Sequence, residues 1–113
     1  MKQSCCCKRR FFLPRLRPAF VVTARDACCA RRLPCAVFEL YCGDTPLLAS
    51  QSGRCGKARF CALFPGEYTL LPAAAPFGFL KPRYPISVVA DCRRRVFIHG
   101  KRTRRVTVWF QRL

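Results

Sequence analysis

The sequence predicts an all-β fold, an antiparallel β-sandwich of about seven strands, on three observations. From Ala19 onward it is a series of short apolar or alternating runs, none long enough for a typical amphipathic helix. Each run is closed by Gly, Pro or Asp at the spacing of a sandwich or barrel. Hydrophobic residues make up 51% of the 113, enough for one packed core in a chain too short for two.

The runs follow one another as AFVVTAR (Ala19–Arg25), AVFELY (Ala36–Tyr41), PLLAS (Pro46–Ser50), KARFCAL (Lys57–Leu63), EYTLL (Glu67–Leu71), YPISVVA (Tyr84–Ala90), RVFIH (Arg95–His99) and RRVTVWF (Arg104–Phe110). Side chains alternate between the faces of a strand, so AVFELY places Ala36, Phe38 and Leu40 on a core face and Val37, Glu39 and Tyr41 on the other. The same alternation selects Phe60, Tyr68 with Leu70, Ile86 with Val88, Val96 with Ile98, and Val106 with Val108. Burial of such a set, at about 1.5 to 3 kcal/mol per large side chain, is what offsets the chain entropy of a domain this size.

Between the runs, CGDTP (Cys42–Pro46), SGRCG (Ser52–Gly56) and HGKRT (His99–Thr103) read as turns. In FPGEY, Pro65 fixes φ and Gly66 accepts a positive φ before the next strand restarts. Ahead of all of these, residues 1–18 are basic, Cys-rich and interrupted by Pro14 and Pro18, with neither period. They predict a disordered tail, leaving 19–113 as the sandwich domain.

Charge bounds the partners. The chain carries 22 Lys and Arg against 5 Asp and Glu, a net charge of +17 and a pI near 10.4, and 17 of the cations are arginine. Such a charge attracts polyanions in a salt-dependent way, whether nucleic acid, anionic lipid or an anionic cell-wall polymer. Ten cysteines stand at 5, 6, 7, 28, 29, 35, 42, 55, 61 and 92, none of them in the Cys-x-x-Cys spacing of a zinc ribbon. With His99 the single histidine, no metal site or cofactor is expected. The even count is compatible with disulfides, but a triplet and an adjacent pair leave the connectivity open.

No apolar run reaches the length of a transmembrane helix. The FFLPRLRPAF segment is broken by prolines and arginines, so no secretory h-region is expected, and the FQRL end carries no sorting motif.

Four motifs in order resemble the B-type repeat domain of Gram-positive surface proteins, the CnaB or SpaA-like module with a prealbumin-like sandwich. They are Leu33, Ala36, Phe38 and Leu40; then Gly56, Lys57 and Phe60; then Leu63, Pro65, Gly66, Tyr68 and Leu70; then Ala75, Pro76, Gly78 and Phe79. The resemblance spans about Phe20 to Phe110. It implies a stalk, spacer or adhesin module outside the cell or in the wall; the partner is left unknown, the candidates being a host or cell-surface protein and, from the charge, an anionic polymer.

Many such modules carry an isopeptide bond, in which a buried lysine amine attacks an Asn or Asp side chain with a carboxyl group shuttling protons. Burial lowers the lysine pKa and so makes the amine a nucleophile. Matched to this chain, the lysine falls at Ala24, the acid at Pro72 and the asparagine near Phe110. The chain has no asparagine, and its lysines, at 2, 8, 57, 81 and 101, all lie off the first strand. No isopeptide bond is expected.

The function expected is therefore a non-enzymatic structural or adhesion-type module. The alternative is a polyanion- or nucleic-acid-binding module using Arg93, Arg94, Arg95, Lys101, Arg102, Arg104 and Arg105, set against the plainer reading of these cations as solvated turn charges or edge-strand guards. Catalysis has little to stand on: a cysteine nucleophile would need His99, which lies beside a Gly-Lys turn with no orienting group.

Overall fold

Each of the eight runs becomes a strand in the computed structural model, which describes residues 19–61 and 63–113. The segment read as a tail, residues 1–18, lies outside the described residues. The strands are β1 (Phe20–Asp26), β2 (Val37–Cys42), β3 (Thr45–Gln51), β4 (Lys57–Phe60), β5 (Gly66–Ala74), β6 (Ile86–Ala90), β7 (Val96–Ile98) and β9 (Arg105–Phe110). A ninth, β8 (Lys101–Arg102), is a two-residue edge that the sequence pattern is too short to show. Among the described residues there is no helix, hence none long and apolar enough to cross a membrane.

Two sheets face each other, one in the order β4-β1-β9 and the other β3-β2-β5-β6-β7-β8. All pairings are antiparallel except β1 with β9, which run parallel from Val21 opposite Arg105 to Asp26 opposite Phe110. Parallel neighbours cannot be joined by a tight turn, and here the whole of the second sheet lies between them in the chain.

The core is the set of inward-facing residues that period two selects. Phe38, Leu40, Phe60, Tyr68, Leu70, Ile86, Val88, Val96, Ile98 and Val108 are buried, and Val106 is half-buried against them. Phe20 stacks on Phe60 with ring centroids 4.9 Å apart, and Phe38 meets Phe110 edge-on at 6.1 Å. Such pairs add about 0.5 to 1.5 kcal/mol beyond the area they bury.

The turns show why the motif residues are needed. Tyr68 donates its hydroxyl to the Phe64 carbonyl at 2.5 Å, tying the strand to the Pro65-Gly66 turn before it. The Pro76–Phe79 turn is closed by the Phe79 amide on the Pro76 carbonyl, with Gly78 at φ 91°, where only glycine is free of strain. His99 and Gly100 both have positive φ, 52° and 80°, the two-residue hairpin whose twist suits the flanking strands β7 and β8.

Candidate functional site

Three surfaces bear on function: the core row where a cross-link would lie, the basic segment from Asp91 to Arg105, and the end of β1.

Ala24, Pro72 and Phe110 are all buried. Ala24 lies opposite Val108 in the parallel pair, with Phe110 two residues further along the same inner face. Pro72 is the register partner of Phe38, whose ring packs on Phe110. The fold thus sets Pro72 and Phe110 beside Phe38, with Ala24 on the inner face that Phe110 shares, but the groups at these positions are a methyl, a pyrrolidine and a phenyl. The register skips Ala73, between Pro72 opposite Phe38 and Ala74 opposite Val37, which makes a bulge in β5 next to Pro72. A proline has no N–H to give a ladder, and such irregularities are where strands accommodate one.

The seven cations of the Asp91–Arg105 segment do not form one edge. Asp91 organises the first turn: its carboxylate accepts from the Arg93 and Arg95 amides at 3.0 and 2.8 Å and from the Arg95 guanidinium at 2.6 Å. Partial burial pushes the Asp91 carboxyl up, but the Arg95 and Arg93 hydrogen bonds outweigh it and hold the group below its usual range. Arg93 and Arg94 are exposed at the tip, Arg94 at φ 65°. After the hairpin, Thr103 and Arg104 carry the chain from the larger sheet to the smaller, the Thr103 amide still bonded to Val96 and the Arg104 carbonyl already accepting from Val21.

Arg95, Arg102 and Arg104 meet across a groove of about 180 Å³ floored by Val96 and Thr103. Lys101 lies apart at the β7–β8 turn, and Arg105 starts β9 on the other sheet. Three arginines and no acid line it, Asp91 being paired with Arg95 outside the lining, so the groove favours an anion.

A third cluster was not anticipated. Asp26 at the end of β1 is 2% exposed. Its carboxylate takes the Arg112 guanidinium at 2.7 and 2.8 Å, the Cys28 amide at 2.8 Å and the Cys29 thiol at 3.4 Å. The Arg112 hydrogen bond, then that of Cys28, overcomes the opposing effect of burial and lowers the carboxyl from 3.8 to about 2. The Arg112 guanidinium also reaches the Cys29 sulfur at 3.7 Å. Asp26 and Arg112 are 86 residues apart, and the only local signal was an Asp-x-Cys-Cys step at a strand end.

Cys28, Cys29, Cys35, Cys42, Cys55 and Cys92 are free and exposed, whereas Cys61 is disulfide-bonded. Exposed His99 occupies its turn, and no group of three or more metal-ligating side chains occurs among the described residues.

No family model matches the chain, and no curated protein matches it. Solved structures do. The chain superposes on the Bacillus anthracis TIE protein (TM-score 0.64, 19% identity, 83% of this chain and 17% of that one). It is likewise similar to the pilus adhesin RrgA of Streptococcus pneumoniae (0.66, 24%, 77% and 11%) and to BcpA, the major pilin subunit of Bacillus cereus (0.66, 14%, 83% and 29%). The chain therefore has the sandwich fold found in pilin and adhesin proteins, as the motifs predicted, and it spans less than a third of each of these three.

Proposed function

We propose that the chain is a non-enzymatic structural or adhesion-type module of the kind found in cell-surface pilins and adhesins, without an intramolecular isopeptide bond, and that 19–113 is its folding unit. The observation that carries the reading is the parallel β1–β9 pair. A unit whose first and last strands run side by side in the same direction is entered at one end and left at the other. Tension between those ends loads the hydrogen bonds of the pair in shear, all at once, rather than peeling them one by one. That is the geometry a load-bearing spacer needs, and the shared fold of pilins and adhesins supports it.

The absence of a cross-link rests on chemistry: Ala24, Pro72 and Phe110 supply no amine, acid or amide, and no asparagine exists elsewhere. Two measurements test the proposal. Single-molecule pulling between residues 19 and 113 should show a higher rupture force than pulling through attachment points that peel β1 from β9; equal forces would sink the load-bearing role. Intact mass after full reduction should equal the sum of the residues, and a deficit of one ammonia or one water would reveal a cross-link.

The Arg95–Arg102–Arg104 groove favours a second reading, binding of an anionic polymer. Retention on heparin that persists at physiological salt is expected, and its loss there removes this reading.

A further inference from the structure

The strands β4, β1 and β9 have an inner face in the core and an outer face in solvent. Register and alternation fix what the outer face displays. Arg59, Val21 and Arg105 form one row; Lys57, Thr23 and Thr107 the next. In the third row Arg25 lies between Trp109 on β9 and Arg32, which is bridged to β1 where β4 has ended.

Five cations and the chain's single tryptophan thus share a sheet face of three rows. Neighbouring strands lie about 4.8 Å apart and successive rows about 6.7 Å, so the face measures roughly 10 by 13 Å. It holds no acid. Of the five in the chain, Asp26 is buried under Arg112, while Glu39, Asp44, Glu67 and Asp91 all belong to the larger sheet and its turns. The positive charge is therefore not a uniform coat.

Trp109 is 45% exposed, although its neighbours Val108 and Phe110 are fully buried. An apolar ring left half in water, on a strand beside an arginine whose guanidinium is held by the Ala30 carbonyl at 2.7 Å, offers a flat surface flanked by fixed positive charge.

We infer that this outer face is a binding platform for single-stranded nucleic acid, with Trp109 stacking on a base and Arg25, Arg32, Lys57, Arg59 and Arg105 holding the flanking phosphates. Open sheet faces bind single strands by stacking unstacked bases on their aromatic side chains, and this face offers one such ring. Charge alone would serve any polyanion; the exposed indole among the cations selects a ligand with π-faces. The inference rests on the polyanion reading only for its electrostatics, and not on the load-bearing role.

The test is binding of a fluorescein-labelled ten-nucleotide oligo(dT), followed by anisotropy under reducing conditions across a salt series. Quenching of the single tryptophan by the unlabelled oligonucleotide is the direct readout of the site. Trp109→Ala should weaken binding about 5- to 150-fold, the range for loss of one base–aromatic stack. Arg59→Glu with Arg105→Glu should weaken it at least tenfold and flatten the log–log salt slope by about 1.4, at ~0.7 per phosphate contact. Arg83→Glu, in the loop before β6, should change affinity less than twofold. All four substitutions, in three variants, replace side chains outside the core, and circular dichroism checks that the variants fold. The inference is overturned if Trp109→Ala binds within twofold of the parent or if the tryptophan is not quenched. It is equally overturned if duplex DNA or heparin binds as tightly with no dependence on the face residues; that outcome keeps the polyanion reading and removes the platform. No binding to any polyanion removes both.

Discussion

Gly56 is the glycine whose surroundings leave least room for a side chain, and Gly56→Ala should destabilise the fold. It ends the turn before β4 at φ 77°, and its carbonyl accepts from the Ala24 amide at 2.8 Å. A Cβ there would stand 2.8 Å from the Arg32 Cβ, 3.1 Å from the Ala24 carbonyl oxygen and 3.2 Å from the Leu33 nitrogen. None of these can rotate away, since each is backbone or fixed to it. The left-handed conformation costs alanine about 1 to 2 kcal/mol, and relief of such overpacking typically costs about 1 to 3 more. The stiffer unfolded chain returns about 0.4 to 1, leaving a net loss of about 2 to 4 kcal/mol. Gly43 provides the control, with a similar φ of 62° and nothing within 4 Å of the added Cβ. Gly43→Ala should lose only about 0.5 to 1 kcal/mol. Urea denaturation of the two variants, in reductant, measures the difference, and thermal scans should separate them by roughly 5 to 25 °C for a domain of this size. Equal destabilisation would refute the close approach of the Gly56 turn to the Arg32–Leu33 segment, and with it the seating of β4 against β1.

The remaining predictions concern the core, the acid limb and the thiols. Phe38→Ala removes the ring that packs on Phe110 and should cost about 3 to 5 kcal/mol by equilibrium denaturation. The Asp26 carboxyl is lowered to about 2 in the folded chain against an ordinary 3.8, so its contribution is complete above about pH 4 and lost as the pH falls from there through about 2. Asp26→Asn should accordingly flatten stability against pH in that window, and an unchanged acid limb would exclude Asp26 as its source. Alkylation without reductant should label Cys28, Cys29, Cys35, Cys42, Cys55 and Cys92 and spare Cys61; peptide mapping that finds Cys61 labelled to the same degree contradicts its disulfide.

The strands were legible because a half-buried strand writes its own period. Phe38 and Leu40, or Ile86 and Val88, need only a two-residue window to declare a face, and the glycines at 56, 78 and 100 declare their turns by what other residues cannot do there. Turn chemistry also carried the family likeness: Tyr68 follows Pro-Gly because its hydroxyl closes that turn. The two-residue β8 was not legible, since it has one residue per face and no period to show. Pro72 is instructive in the other direction. The strand read as ending at Leu71 continues through Pro72 to Ala74, because the β5 bulge at Ala73 accommodates the proline.

Sites were read less completely because a site is a product of pairing, and pairing is not local. The basic segment from Arg93 to Arg105 looked like one patch in the sequence, yet the switch of sheet at Thr103–Arg104 divides it, sending Arg102 and Arg104 into a groove with Arg95 and Arg105 to another face. The cations that Arg105 joins come from positions 25, 32, 57 and 59, which no window of the chain brings together. Only the parallel register of β1 with β9 sets Arg25 beside Trp109. Trp109 and Phe110 are adjacent in sequence and chemically alike, and period two forces one of them into the core and the other into water. Which of the two faces out follows from Val108, whose place in the core was already written in the alternation, so the exposed indole was implicit in the strand and its cationic neighbours were not.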